Sequence, residues 1–456
     1  MQPIDAGFLL FESPQKPLHV GGLQIFEPPE GAGPDHVRDL YEQSLTHREV
    51  RPAFARKPVE VLGVGPLAWT YETELDFEYH VRHSALPRPG RIRELLELVS
   101  RLHGTPLDRT RPLWEMHLIE GLADGRFAVY TKIHHAVVDG VAAMRILQEG
   151  LSPDPDERNM APPWVSRHQD APSQTQDRAG SGSTAASVRN LLAAPLETIG
   201  VARRMATTAW EGVTQQSAAL PFRAPRTMFN RNISGARRFA GDSWPLERLQ
   251  RVADAVDGTV NDVVLAMSAG ALRRYLIGHD ALPDDSLVAM VPVSMREDEG
   301  DVDEDGNAVG IVLVVLGTHL ADPVERFDLI LESMGRAKAQ LSGLSTTQAM
   351  AVNVLPVAPF LFTSGLRIPE ITRPPFNVVI SNVPGPQAPL YWNGARLQGN
   401  YPLSIPVDGL ALNITCASYA GEMAFGLVGC RRTVPSLQRL LDGLEASLTE
   451  LEDALT

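Results

Sequence analysis

The chain has 456 residues, 44% of them hydrophobic and 21% charged, with a formal net charge of −14 and a pI near 5.4. That length exceeds what one hydrophobic core serves and predicts two domains, while the acidic balance excludes a general nucleic-acid binder, which needs a basic surface to neutralise phosphates. Two cysteines, Cys416 and Cys430, make neither a disulfide framework nor a ligand-spaced metal cluster, which suits a reducing cytoplasm.

The opening MQPIDAGFLLFESPQKPLHV carries acidic Asp5 and Glu12 and no basic region ahead of an apolar run, so no secretory signal is expected. Residues 1–160 read as an ordered N-terminal domain: strand-like HVGGLQIF, helical RELLELVSRLHG, then a hairpin-like WEMHLIEGLADGRFAVYTKIHH whose two alternating segments meet at the turn Ala123 to Gly125. Residues 161–226 read as a linker. Its HQDAPSQTQDRAGSGSTAAS is too polar to bury a core, and the following RNLLAAPLETIGVARRMATTAWEGV has helical apolar spacing beside Arg203 and Arg204. Residues 227–456 read as a second domain, with the helix NDVVLAMSAGALRRYL and the strands SLVAMVPVS, GIVLVVLGTHL, FNVVISN and GLALNITCASY. A leucine stripe at Leu437, Leu440, Leu441, Leu444, Leu448, Leu451 and Leu455 predicts a C-terminal helix started by Pro435 and packed on the core. The longest apolar run, IVLVVLG from Ile311, is far short of the roughly 20 residues that span a bilayer.

Within KIHHAVVDG, period-2 alternation puts Phe127, Val129, Thr131 and Ile133 on one strand face, so His135 falls on the mainly apolar side and His134 opposite it. The next segment, VAAMRILQEG, predicts a short helix closed by Gly150. The residues alone leave three readings open: a satisfied histidine pair at a turn, a metal site through His135 and Asp139, or general-base catalysis by a neutral imidazole. No third metal ligand stands near in sequence.

HHAVVDG resembles the HHxxxDG signature of the bacterial wax ester synthase/acyl-CoA:diacylglycerol acyltransferase family, within the coenzyme A-dependent acyltransferase superfamily. PLDRTRPLWE at Pro106 to Glu115 is similar to the family's PLW segment, TVNDVVLA at Thr259 to Ala266 to its Asn-Asp segment, VPVSMR at Val291 to Arg296 to its next strand, and SNVPGP at Ser381 to Pro386 to its C-terminal segment. HVGGLQIF and LNIT fit as well, so the resemblance covers nearly the whole chain in order. One departure is Cys430, which follows FGLVG where an acidic residue is expected.

The resemblance implies a mixed α/β (α+β) fold of two chloramphenicol acetyltransferase-like domains, each a mixed sheet with helices, joined by a long crossover linker. It implies transfer of a fatty acyl group from acyl-CoA, as substrate and with no cofactor or metal, to a long-chain alcohol or a diacylglycerol. His135 would be the general base in a ternary complex, and His134 would orient the turn or touch substrate. Asp139, with Gly140, would support the turn by pairing with Arg296. Asn261 would donate to the oxyanion, unless it only caps its helix beside Asp262; Ser381 and Asn382 are further candidates. Pro112, Leu113 and Trp114 would line a substrate channel or begin a strand with a half-buried tryptophan. Arg203–Arg204 or the Arg273–Arg274 pair would meet the coenzyme A phosphates. Residues 189–213 suit an interfacial helix, in a cytoplasmic protein peripheral to the inner membrane face or to lipid inclusions. Two alternatives share these features: a condensation-type acyltransferase fed by a carrier protein, and a lipid-binding or droplet protein that has lost the chemistry. Preference between wax ester and triacylglycerol is not encoded in any of these segments.

Overall fold

The computed structural model describes residues 1, 3–60, 65–165, 224–294, 309–341 and 373–456. Arg296, Arg203–Arg204 and the expected interfacial helix at 189–213 lie outside the described residues.

The first half runs α1 (Pro3–Phe11), β1 (His19–Glu27), α2 (His36–Thr46), α3 (Pro52–Ala55), β2 (Arg56–Glu60), β3 (Pro66–Tyr71), α4 (Phe77–His80), β4 (Val81–Ala85), α5 (Ile92–His103), β5 (Trp114–Glu120), β6 (Phe127–His134) and α6 (Gly140–Glu149). From residue 224 on come β7 (Arg237–Pro245), α7 (Leu246–Ala255), α8 (Val260–Ile277), β8 (Val288–Ser294), β9 (Val309–Val315), α9 (Pro323–Leu341), β10 (Val378–Val383), β11 (Tyr391–Trp392), β12 (Ala395–Leu403), β13 (Leu412–Tyr419), β14 (Glu422–Cys430) and α10 (Arg439–Leu455).

Two mixed sheets organise these elements. The first has the order β11-β12-β1-β6-β5-β4, the second β7-β14-β13-β10-β8-β9. In the first, β4 and β5 are parallel and the pairs β5–β6, β6–β1 and β1–β12 antiparallel. In the second, β10 runs parallel to both β8 and β13. The expected hairpin is β5–β6, and every residue of β6 is buried because its two faces meet different layers. Phe127, Val129 and Ile133 join one core with Ala143 and Ile146 of α6, whereas Ala128 and Tyr130 join another with Leu95 and Val99 of α5.

The halves are not separate along the chain. Strand β12 from the second half pairs with β1, Gly21 opposite Leu403 and Glu27 opposite Arg396, so the first sheet takes strands from both halves of the chain. Residues 151–165 also return to the first core, where Trp164 is buried.

Helix α8, apolar nearly all round, is the centre of the second core and packs against α7, α9 and α10, as an all-apolar helix must. The leucine stripe faces it as expected, yet α10 starts at Arg439 rather than just after Pro435. Ser436 adopts a left-handed backbone (φ 53°) and its carbonyl accepts the Arg439 N–H at 2.9 Å, so a turn separates the proline from the helix.

Candidate functional site

Backbone pairing fixes the histidine turn before any side chain acts. The His134 N–H donates to the Leu113 carbonyl at the start of β5 and the His135 N–H to the Leu18 carbonyl just before β1, both at 2.9 Å. Asp139 then caps α6, its Oδ1 accepting the Ala142 N–H at 2.8 Å, a bond that satisfies one of the helix's free donors. Arg56, from the β2–β3 hairpin, donates to the Val137 carbonyl inside the turn at 2.9 Å. Helix α6 rests directly on β1 because Gly22 has no Cβ; one there would come within 2.6 Å of Leu147 Cδ1.

The two imidazoles have different surroundings. His134 is fully buried, and its Nδ1 accepts the Ala136 N–H at 3.0 Å, which leaves the ring proton on Nε2. That nitrogen faces Glu12 Oε1 at 3.4 Å. Glu12 is itself buried; Oε1 accepts the Leu18 N–H at 2.9 Å, and Oε2 accepts Arg109 Nε and Nη2 at 3.0 and 2.8 Å. Burial pushes the Glu12 carboxyl up, but His134, the Leu18 N–H and Arg109 more than offset it, so the pKa is lowered.

His135 is only half-buried and lies flat on the ring of Phe8, centroids 4.3 Å apart with 20° between the planes. Its Nδ1 is buried and, among the described residues, no other residue bonds it. Burial foremost holds the pKa of His135 below that of an ordinary histidine, against the raising influence of its own backbone and of Asp139. That shift favours the neutral ring, the form a base requires.

The facing wall comes from the second half. Val383 of β10 and Ala417 of β13 pack on Met144 of α6. Beside Val383, Ser381 and Asn382 are half-buried, and Asn382 Oδ1 has no hydrogen-bond partner. Gly385 permits the approach: a Cβ there would sit 2.1 Å from the Ser418 carbonyl, with Gln148 Nε2 of α6 at 3.4 Å. The structure thus joins SNVPGP to the helix that the histidine turn starts. At Gly140 a Cβ would meet nothing within 4 Å, so this glycine leaves open space rather than relieving a clash.

The remaining sequence candidates sit apart from this wall. Asn261 is half-buried in the first turn of α8 and does not cap the helix. Thr259 is the N-cap, in a capping box with Asp262, because its hydroxyl accepts the Asp262 N–H while Asp262 Oδ2 accepts the Thr259 N–H at 2.9 Å. Trp114 is not half-buried: it is 1% exposed, its Nε1 donates to the Phe54 carbonyl at 2.9 Å, and it packs on Phe54, His80 and Trp164. With Pro112 and Leu113, also buried, it lies in the core under the turn. Arg273 donates to the Thr318 and His319 carbonyls, and Arg274 pairs with Glu450. Cys430, in place of an expected acid, is buried where its Sγ accepts the Ser234 N–H at 3.4 Å. Among the described residues no group of three or more His, Cys, Asp or Glu could hold a metal ion, and no helix is long and apolar enough to cross a membrane.

Sequence reasoning missed Phe8, Glu12 and Arg109. Arg109 stood inside the quoted PLDRTRPLWE segment, but nothing local in the sequence marks it as the partner of Glu12.

Two family models match the chain: the wax ester synthase/diacylglycerol acyltransferase catalytic domain over residues 1–264 and the WS/DGAT C-terminal domain over residues 305–452. A putative diacylglycerol O-acyltransferase of Mycobacterium bovis is 50% identical over 100% of this chain and 99% of its own. The solved wax ester synthase/diacylglycerol acyltransferase of Marinobacter aquaeolei is 43% identical, covers 100% of this chain and 99% of its own, and superposes with a TM-score of 0.78. The starter condensation domain of rhizomide synthetase, 12% identical with a TM-score of 0.55 over 100% of this chain and 95% of its own, shares the two-domain chloramphenicol acetyltransferase-like fold. With its motifs set in that fold and matched end to end, the chain is an acyltransferase and belongs to the wax ester synthase/diacylglycerol acyltransferase family.

Proposed function

We propose that the chain transfers a long-chain fatty acyl group from acyl-CoA to the hydroxyl of a diacylglycerol or a long-chain alcohol, with His135 as general base in a ternary complex. The observation that carries this reading is the half-buried imidazole of His135 on the turn where α6 meets the second half, its pKa held below that of an ordinary histidine chiefly by burial. An alcohol is a poor nucleophile until its proton is removed. His135 Nε2 takes that proton as the oxygen attacks the thioester carbonyl; the carbon–sulfur bond then breaks, and the imidazolium returns the proton to the thiolate. No acyl-enzyme is required. Acyl-CoA serves as substrate, and no cofactor enters the balance.

The oxyanion needs a donor, and losing one typically costs roughly 10²- to 10³-fold. Ser381 and Asn382, on the strand whose Val383 packs on Met144 of α6, are favoured over Asn261. His134, held by Glu12, orients the turn. Asp139 caps α6, and its pairing with Arg296 remains part of the proposal. The open space at Gly140 suits substrate entry, and Pro112 to Trp114 support the turn from beneath. Diacylglycerol is the favoured acceptor because the curated relatives carry that name. A peripheral position on the inner membrane face or on lipid inclusions follows from the lipid substrates.

The test is thiol release from palmitoyl-CoA by purified chain, with dipalmitoylglycerol or hexadecanol offered in parallel and His135→Ala as control. Release that needs an acceptor and falls roughly 10²- to 10⁴-fold in the control is expected. Burst release without acceptor, with acyl group trapped on the protein, would overturn the ternary-complex mechanism.

A further inference from the structure

We propose that Phe8 is a positioning residue for the transfer reaction: its ring holds the His135 imidazole in the one orientation that presents Nε2 to the acceptor hydroxyl. This inference rests on the reading of His135 as the base. A catalytic imidazole ordinarily has its orientation set by a hydrogen bond to its far nitrogen. Here that nitrogen, Nδ1, is buried and, among the described residues, no residue other than His135 itself bonds it. The His135 backbone is fixed by its bond to the Leu18 carbonyl, but that bond leaves the side-chain torsions free. The flat contact with Phe8, 4.3 Å between centroids, is the restraint that another residue supplies.

Phe8 arrives on a braced support. It lies in the last turn of α1, and the adjacent Leu9 is fully buried, its carbonyl accepting Arg109 Nη2 at 2.6 Å. Arg109 also grips Glu12, which receives the Leu18 N–H. The segment from Phe8 to Leu18 thus holds both the ring and the backbone of His135.

The same contact keeps water from one ring face, which disfavours the charged imidazolium. Among the described residues, the charged and titratable groups around the site are Asp139 at the α6 cap, His134 beside it, Asp5 one turn before Phe8 on α1, Glu12 and Arg109 behind His134, and Arg56 on the Val137 carbonyl.

The experiment measures acceptor-dependent thiol release from palmitoyl-CoA, as kcat and KM from about pH 5 to 9, for the full chain and Phe8→Ala, Phe8→Leu, Phe8→Tyr and His135→Ala variants. Phe8→Ala is expected to lower kcat roughly 10- to 100-fold with KM for palmitoyl-CoA within about twofold, and to move the acid limb of the profile to higher pH as water reaches the ring. Phe8→Tyr restores both. Phe8→Leu, which keeps α1 packed, shows the kcat loss and decides the matter if the alanine variant does not fold. Full kcat in Phe8→Leu overturns the proposal. So does a kcat loss in folded Phe8→Ala with an unmoved acid limb that Phe8→Tyr fails to restore. Activity retained by His135→Ala overturns instead the general-base reading on which it rests.

Discussion

Mild acid tests the buried polar layer behind the histidine turn. His103 is held by two directed bonds: Nδ1 accepts the Tyr130 hydroxyl at 2.8 Å, and Nε2 donates to the Ser404 carbonyl at 3.0 Å. His19, opposite His134 in the sheet, donates from Nε2 to the His103 carbonyl at 2.9 Å. Burial first, then the nearby cations, holds His103 at about 3 and His19 well below 6.5. Both folded values are depressed, so on acidification the unfolded chain takes up these protons first. The stability they permit is complete above about pH 6.5 and is lost as pH falls below it. Each histidine costs about 1.4 kcal/mol per pH unit in that range, so going from about pH 7.5 to 5.5 removes about 3 kcal/mol through these two residues. His80 and His117, also lowered chiefly by burial, add to the same trend. Urea unfolding followed by tryptophan fluorescence at several pH values measures the loss. His103→Gln, whose amide can still accept from Tyr130 and donate to Ser404, is expected to remove about 1.4 kcal/mol of the pH-dependent part. A stability curve flat between those pH values, or a variant curve parallel to the wild type, would refute the reasoning.

Glu12 and Arg109 form a second test, because their side chains are 4% and 39% exposed and lie 2.8 Å apart. Glu12→Gln and Arg109→Met are each expected to cost about 2 kcal/mol, below the figure for a fully buried pair because the guanidinium is partly solvated. The double variant should cost clearly less than the sum, and coupling below about 0.5 kcal/mol would remove the pair from the account. Glu115 and Lys132, 6% and 1% exposed, pair at 3.2 Å beneath the site, with Lys132 also donating to the Leu102 and Thr105 carbonyls. Glu115→Gln, which leaves that ammonium buried and unpaired, is expected to cost about 3 kcal/mol. Adding Lys132→Met should recover part of it, and thermal unfolding that places the double variant below the single would contradict this.

What the sequence made legible, and what it did not, divides along contact range. The β5–β6 hairpin, α8 and the leucine stripe of α10 were readable because alternation and 3.6-residue spacing record which faces are buried. Local chemistry was readable too: Thr259 with Asp262 three residues later is a capping signature. Thr259, and not Asn261, is the cap that this signature marks. The crossing strand is different. Residues 391–403 carry an ordinary strand pattern, and nothing in it says that Gly21 rather than a nearer segment will lie opposite Leu403. Glu12 and Arg109 are 97 residues apart, and Phe8 meets His135 only after β1 and β6 have paired. Such contacts depend on the register of several strands at once, which periodicity does not encode.

The same distinction bears on which residues perform the chemistry. HHxxxDG marks the proposed base and the helix cap, because both belong to one turn. It does not reveal that the two histidines diverge, His134 directed inward to a buried carboxylate and His135 outward against an aromatic ring. Their partners, Phe8 in α1 and Glu12 just after it, lie in a segment the motif does not contain. A variant that keeps HHAVVDG intact but loosens residues 8–12 should therefore fold and still turn over slowly. Exchanging Glu12 should act through stability, and exchanging Phe8 through kcat. Measuring both on the same preparations separates holding the turn together from aiming the imidazole, two tasks that the seven-residue signature merges into one.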